Sequence, residues 1–127
     1  MRKLLLTLIA GATIASASSI TINATMDLME KGMQTIQKGF FYNQKAMILE
    51  GIDIVEGANK IFNTVDTKEF TKGNRAQQVI SNIHSNLAAN LKAFKSSVKA
   101  NQFANASIQY GKVVNDCVAC HTIIRGW

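Results

Sequence analysis

Residues 103–124, FANASIQYGKVVNDCVACHTII, decide the fold that we expect for this chain. The apolar residues in this stretch recur at steps of three and four, which is the spacing of one face of an α-helix. The apolar stripe consists of Phe103, Ala106, Tyr110, Val113, Cys117, Cys120 and Ile124. We therefore predict an amphipathic helix that turns this face, with both cysteines, toward a core.

Three earlier segments show the same spacing. Asn23 or Thr25 is predicted to cap the first helix and Asn43 the second, because these side chains accept hydrogen bonds from unpaired N–H groups at a helix start. A polar connection is expected over residues 63–73, and a turn at 100–101. The stripes are Met26, Met29, Met33, Ile36 and Phe40; then Ile48, Ile52, Val55 and Phe62; then Ile80, His84 (or Ile83), Leu87, Leu91, Phe94 and Val98.

Four helices of similar length with short connections predict an all-α fold, an antiparallel up-down-up-down four-helix bundle. An irregular all-α packing is the alternative, but stripes close to a 3.5-residue repeat favour the bundle. Several glycines lie inside the predicted helices, where each weakens the helix by about 1 kcal/mol relative to alanine. A bulky ligand or a close helix crossing would explain some of Gly32, Gly39, Gly51, Gly57 and Gly111.

The N-terminal segment has the pattern of an export signal. Arg2 and Lys3 precede an apolar run over residues 4–14 and an Ala-Ser-Ala cleavage sequence. The run is shorter than the about 20 residues of a membrane span, so an uncleaved anchor is the less favoured alternative. We predict a signal peptide over 1–17, export to the periplasm, and one domain over 18–127 that is not an integral membrane protein.

The chain carries a formal charge of +6, and removal of Arg2 and Lys3 with the signal would leave +4. A positive balance favours encounter with acidic partner surfaces. The lysines are scattered along the chain, and aromatic residues make up only 7% of it. This composition argues against a nucleic-acid-binding role.

Cys117, Cys120 and His121 form the pattern Cys-x-x-Cys-His, the attachment signature of c-type haem. On a helix they occupy positions i, i+3 and i+4 of one face, so two thiols can bond the haem vinyl groups while the imidazole ligates the iron. Cys-x-x-Cys also occurs in redox dithiols and zinc sites. A redox dithiol of the thioredoxin kind would need a βαβ frame, which this sequence lacks. A tetrahedral zinc site would need further ligands from elsewhere in the chain, where the only other histidine is His84. We expect one covalently bound haem c near the end of the fourth helix.

The motif at the end of a four-helix pattern resembles the class II c-type cytochromes, the cytochrome c-prime family. The resemblance rests on Cys117, Cys120, His121 and Arg125 and covers residues 18–127. In class I cytochromes c the motif lies near the N-terminus and a ligating methionine follows it, whereas here every methionine precedes the motif. The resemblance implies a haem-binding bundle, and it makes a homodimer formed through the first two helices one option.

The second iron ligand is predicted from depth in the bundle. If the first helix begins at its predicted cap, Met29 lies as deep as His121, roughly 9 Å from the bundle end at 1.5 Å per residue. Met33 is the next candidate, since the chain is similar there to the soluble b-type bundle cytochrome. Core packing is the alternative for these methionines, and His84 is a rival ligand. Arg125 is expected to pair with a haem propionate, unless it is simply a solvated cation at the helix end.

We expect a carrier that passes single electrons between periplasmic or membrane-bound redox proteins, and not an enzyme. Iron held by histidine and methionine has a closed coordination sphere, which suits electron transfer. The alternative is a five-coordinate protein of the c-prime type that binds nitric oxide or other small gases. A peroxidase-like enzyme is disfavoured, because His84 is the only spare histidine for a distal acid–base pair.

Overall fold

The structure, a computed structural model, describes residues 12–126, with side chains from residue 21 onward. A short 3-10 helix, Thr67–Glu69, lies in the polar connection that was predicted over residues 63–73. No strand occurs in this part of the chain, which confirms the predicted all-α class with four helices. The helices are α1 (Ala12–Phe41), α2 (Lys45–Phe62), α3 (Asn74–Lys99) and α4 (Phe103–Arg125).

The helices form a bundle in which chain neighbours make the close pairs: α1 with α2, α2 with α3, and α3 with α4. Among the described residues α1 and α4 do not form such a pair. They meet through side chains, since Phe40 of α1 stacks on Phe94 of α3 at a ring separation of 6.0 Å and lies 5.8 Å from Tyr110 of α4. The predicted stripes supply most of the core, including Ile36, Ile48, Ile52, Val55, Ile80, Leu87, Leu91, Phe94, Val98 and Val113.

Glycines bring α1 and α2 close together. A Cβ atom on Gly51 would lie 2.6 Å from the carbonyl oxygen of Gly32, and one on Gly39 would lie 2.8 Å from the backbone nitrogen of Ile48. Such contacts leave no room for a side chain, so a close helix crossing explains Gly32, Gly39 and Gly51. A Cβ on Gly57 or Gly111 would meet nothing within 4 Å, and the structure gives no packing reason for either glycine.

The first helix begins earlier than predicted. It starts at Ala12, and Thr25 lies inside it, buried, with its hydroxyl donating to the Thr21 carbonyl at 2.6 Å. The prediction of a cap at Asn23 or Thr25 was therefore wrong, because no proline or glycine interrupts residues 12–25. Residues 1–11 of the predicted signal peptide lie outside the described part of the chain. Among the described helices, none combines the length and apolarity needed to cross a membrane.

Asn43 ends α1 and does not cap α2. Its φ of 52° is left-handed, while Gln44 occupies the N-cap position without a side-chain cap bond. Gln44 donates its backbone N–H to the Gly39 carbonyl at 2.8 Å, a pattern that closes a helix C-terminus around a left-handed residue. Asn101 ends α3 in the same way, with φ 59°, at the predicted turn. Asparagine tolerates this conformation better than most residues.

Candidate cofactor site

A cavity of about 480 Å³ lies between α1, α3 and α4, with the end of α2 contributing Phe62. Its volume falls within the roughly 300–1,000 Å³ typical of small-molecule and cofactor sites. The walls are mostly apolar, formed by residues such as Phe62, Phe70, Ile83 and Leu87. Phe70, from the connection after α2, packs edge-on against Phe62 at 5.9 Å. The fold thus forms a partly open apolar cavity at one place in the bundle.

The α4 wall of this cavity contains Cys117, Cys120 and His121. All three are half-buried, and both cysteines are free thiols. Burial, helped by the charge of Asp116 and by Cys120, raises the pKa of Cys117 to about 11. Burial also raises the pKa of Cys120. Both thiols are therefore protonated at neutral pH, as sulfur atoms in an apolar wall should be.

The α1 wall brings the three predicted methionines to the same cavity. Met26, Met29 and Met33 all line it together with His121. Met29 is the most buried of them, with 8% of its surface exposed, and it belongs to the main hydrophobic core. Met29 was predicted from its depth in a first helix that begins at Asn23 or Thr25. Because α1 begins at Ala12, depth in the bundle no longer supports Met29 as a ligand. The shared cavity is an independent observation that keeps Met29 among the candidates.

His84 also lines the cavity, and its ring is fixed by a partner that the sequence analysis did not identify. Asn59 of α2 donates from Nδ2 to the His84 carbonyl at 3.1 Å, and its Oδ1 lies 2.8 Å from Nδ1 of the imidazole. Because the amide oxygen faces the ring, Nδ1 carries the proton and Nε2 holds a lone pair. Burial lowers the pKa of His84, which favours this neutral form. Asn59 lies four residues after Val55, on the same face of α2. A polar residue in this otherwise apolar stripe was the sequence feature that could have predicted a buried polar pair.

Charged residues also lie at this cavity. Arg125 is exposed and lines it, and so do three carboxylates: Asp27, Glu30 and Asp116. Asp116 is held by Asn90 of α3, which donates to its Oδ2 at 2.7 Å. The charge around the cavity is therefore more acidic than the positive total of the chain suggests. The total charge of the chain does not reveal this local excess, because the three carboxylates come together only where α1 and α4 line the same cavity.

The fold and the cavity define a class: a helical bundle with a partly open apolar site whose wall contains Cys-x-x-Cys-His. Within residues 12–126, no group of three or more His, Cys, Asp and Glu side chains is arranged to hold a metal ion. No family model, curated protein or solved structure matches the chain.

Proposed function

We propose that this protein is a monohaem c-type cytochrome that carries single electrons, built as an antiparallel four-helix bundle of the class II kind. The observation that carries the proposal is the cavity of about 480 Å³ with Cys117, Cys120 and His121 on one wall. These three side chains occur in the order and spacing that covalent haem attachment uses. The proposed haem lies near the C-terminal end of α4.

The residues around the cavity fit this group. A porphyrin needs an apolar enclosure, which Phe62, Phe70, Ile83 and Leu87 supply. The two thiols are uncharged and half-buried in the wall, where thioether bonds would add no charge to an apolar site. His121, on the same wall, offers an imidazole to the iron. The exposed guanidinium of Arg125 at the cavity is suited to a carboxylate of the cofactor.

The haem would supply reversible uptake of one electron, and the chain would hold and enclose it. Cys117 and Cys120 would anchor it, and His121 would bind the iron from α4. Met29 would also bind the iron, because it is the most buried cavity methionine. The apolar walls would limit the contact of the group with water, which would lower the reorganisation that accompanies electron transfer.

The proposed cellular compartment rests on the sequence pattern of the N-terminal segment and not on the cavity. A signal-like segment over residues 1–17 supports export, and c-type haem is attached outside the cytoplasm. We therefore propose that the partners are periplasmic or membrane-bound redox proteins. The protein itself then acts as a carrier between them and catalyses no reaction of its own.

Mass spectrometry of the exported protein tests the proposal. After acid–acetone treatment, one haem should stay attached, because thioether bonds survive denaturation while coordinate bonds do not. The matched control is Cys117→Ser/Cys120→Ser, which should lose all haem under the same treatment. An exported wild-type protein with the apoprotein mass and a Cys117–Cys120 disulfide would overturn the cytochrome proposal.

A further inference from the structure

Asp116 is a carboxylate on the wall of the cavity, directly before the first cysteine of the motif. It is half-buried, and Asn90 of α3 donates from Nδ2 to its Oδ2 at 2.7 Å. This bond fixes the carboxylate between α3 and α4. Because Asn90 is a neutral amide, the bond holds the negative charge in place without cancelling it.

The charge of Asp116 acts on the cavity. After burial, which is the largest cause, the carboxylate is the next contributor to the raised pKa of Cys117, about 11. A fixed negative charge opposes the formation of a second one nearby. The same field opposes any other change that makes the cavity more negative, and the arrival of an electron is such a change.

We propose that Asp116, positioned by Asn90, lowers the reduction potential of the cofactor held by Cys117, Cys120 and His121. This inference rests on the proposed function. Reduction adds one electron to the iron, so a fixed carboxylate in the cavity wall stabilises the oxidised state relative to the reduced state. Asp116 would act through the electric field of its carboxylate and would not bind the cofactor, while Asn90 is the positioning residue.

The other carboxylates at the cavity differ from Asp116 in exposure. Asp27 and Glu30 are exposed on α1, and the cation Arg125 is exposed on α4. Charges in solvent are screened by salt over about 8–10 Å at ordinary ionic strength, whereas half-buried charges are screened less. The effect of Asp116 on the reduction potential should therefore persist at high salt, whereas the effect of Asp27 should become small.

The test is the reduction potential of the haem-loaded protein, measured by spectroelectrochemical titration at low and high ionic strength. Asp116→Asn should raise the reduction potential at both ionic strengths. Asp116→Glu keeps the charge, so its potential should stay near that of the wild type. Asp27→Asn should give a smaller rise that disappears at high salt. Asp53→Asn is the control: Asp53 pairs with Lys95 and is not among the cavity-lining residues, so no rise is expected.

Asn90→Ala tests the hydrogen bond that positions Asp116. Without this bond the carboxylate can turn toward solvent, so the reduction potential should rise, but by less than in Asp116→Asn. An unchanged potential in an Asp116→Asn protein with a wild-type absorption spectrum would overturn the inference alone. Equal rises in Asp116→Asn and Asp53→Asn would also overturn it, because they would indicate a net-charge effect. A wild-type protein without covalent haem would overturn the proposed function and this inference together.

Discussion

At the scale of single residues, the proposal that Met29 would bind the iron can be tested by substitution. Met29→Leu preserves apolar volume, so it should cost less than about 1.5 kcal/mol of folding free energy. Loss of the thioether should convert low-spin iron to high-spin, lower the reduction potential and open a site for carbon monoxide. The measurements are the sulfur-to-iron charge-transfer band of the ferric protein and its carbon monoxide binding.

Met33→Leu and Met26→Leu are the matched controls, because both residues line the same cavity from α1. Each should keep the charge-transfer band. If Met33→Leu removes the band and Met29→Leu keeps it, the ligand lies one turn further along α1. A wild-type protein that lacks the band and binds carbon monoxide readily would favour the gas-binding alternative.

His84 should make the stability of the protein depend on pH. Burial lowers its pKa below the ordinary 6.5, so the unfolded chain takes up a proton more readily than the folded protein. The free energy of unfolding should therefore fall as the pH drops below about 6.5 and level off below the folded pKa. Urea denaturation of the haem-loaded protein between about pH 5 and pH 8, where histidine titrates, measures this slope.

The double variant His84→Leu/Asn59→Leu removes both members of the buried pair and should flatten the slope. The single variant His84→Leu leaves the Asn59 amide oxygen without its ring partner, which should cost about 1–3 kcal/mol at every pH. The slope is therefore more informative than stability at one pH. An identical slope in wild type and double variant would show that another group causes the dependence.

At the scale of helices, the crossing of α1 and α2 depends on glycine. Gly51→Ala should destabilise the fold by roughly 1–3 kcal/mol, because its Cβ would lie 2.6 Å from the Gly32 carbonyl and 2.7 Å from the Ile36 backbone nitrogen. Gly57→Ala, in the same helix, meets nothing within 4 Å and should stabilise by up to about 1 kcal/mol through helix propensity. Denaturant midpoints of the two variants provide the comparison. Destabilisation by both would indicate that helix α2, and not its crossing, is sensitive to the change.

The helix ends illustrate which local signals are reliable. The polar connection and the turn at Asn101 were predicted, since asparagine favours turns for local steric reasons. Asn43 was predicted to cap α2, but it ends α1 instead. An asparagine can cap a following helix or end a preceding one, and the hydrogen bond from the Gln44 N–H to the Gly39 carbonyl distinguishes the two.

At the scale of the whole molecule, the proposed cofactor would complete the core. The cavity separates part of α1 from α4, two helices that do not otherwise pack closely in the described part of the chain. Covalent haem would stay on the chain after unfolding, so it would stabilise the native state through the apolar burial and iron coordination that exist only there, and an empty cavity destabilises its surroundings. Cys117→Ser/Cys120→Ser protein should therefore melt at a lower temperature and less cooperatively. Circular dichroism melting measures this, and a melt equal to wild type would show that the cofactor lies outside the core.

The sequence by itself determined the all-α class, most of the buried helix faces and the Cys-x-x-Cys-His pattern. Helix periodicity depends on near neighbours, so the stripes of Ile52, Leu91 and Val98 could be assigned without knowing the fold. The tertiary structure alone decided which residues meet across helices. The Asn59–His84 pair, the Gly32–Gly51 contact and the Asn90–Asp116 bond join residues far apart in the chain, and their geometry depends on how whole helices pack.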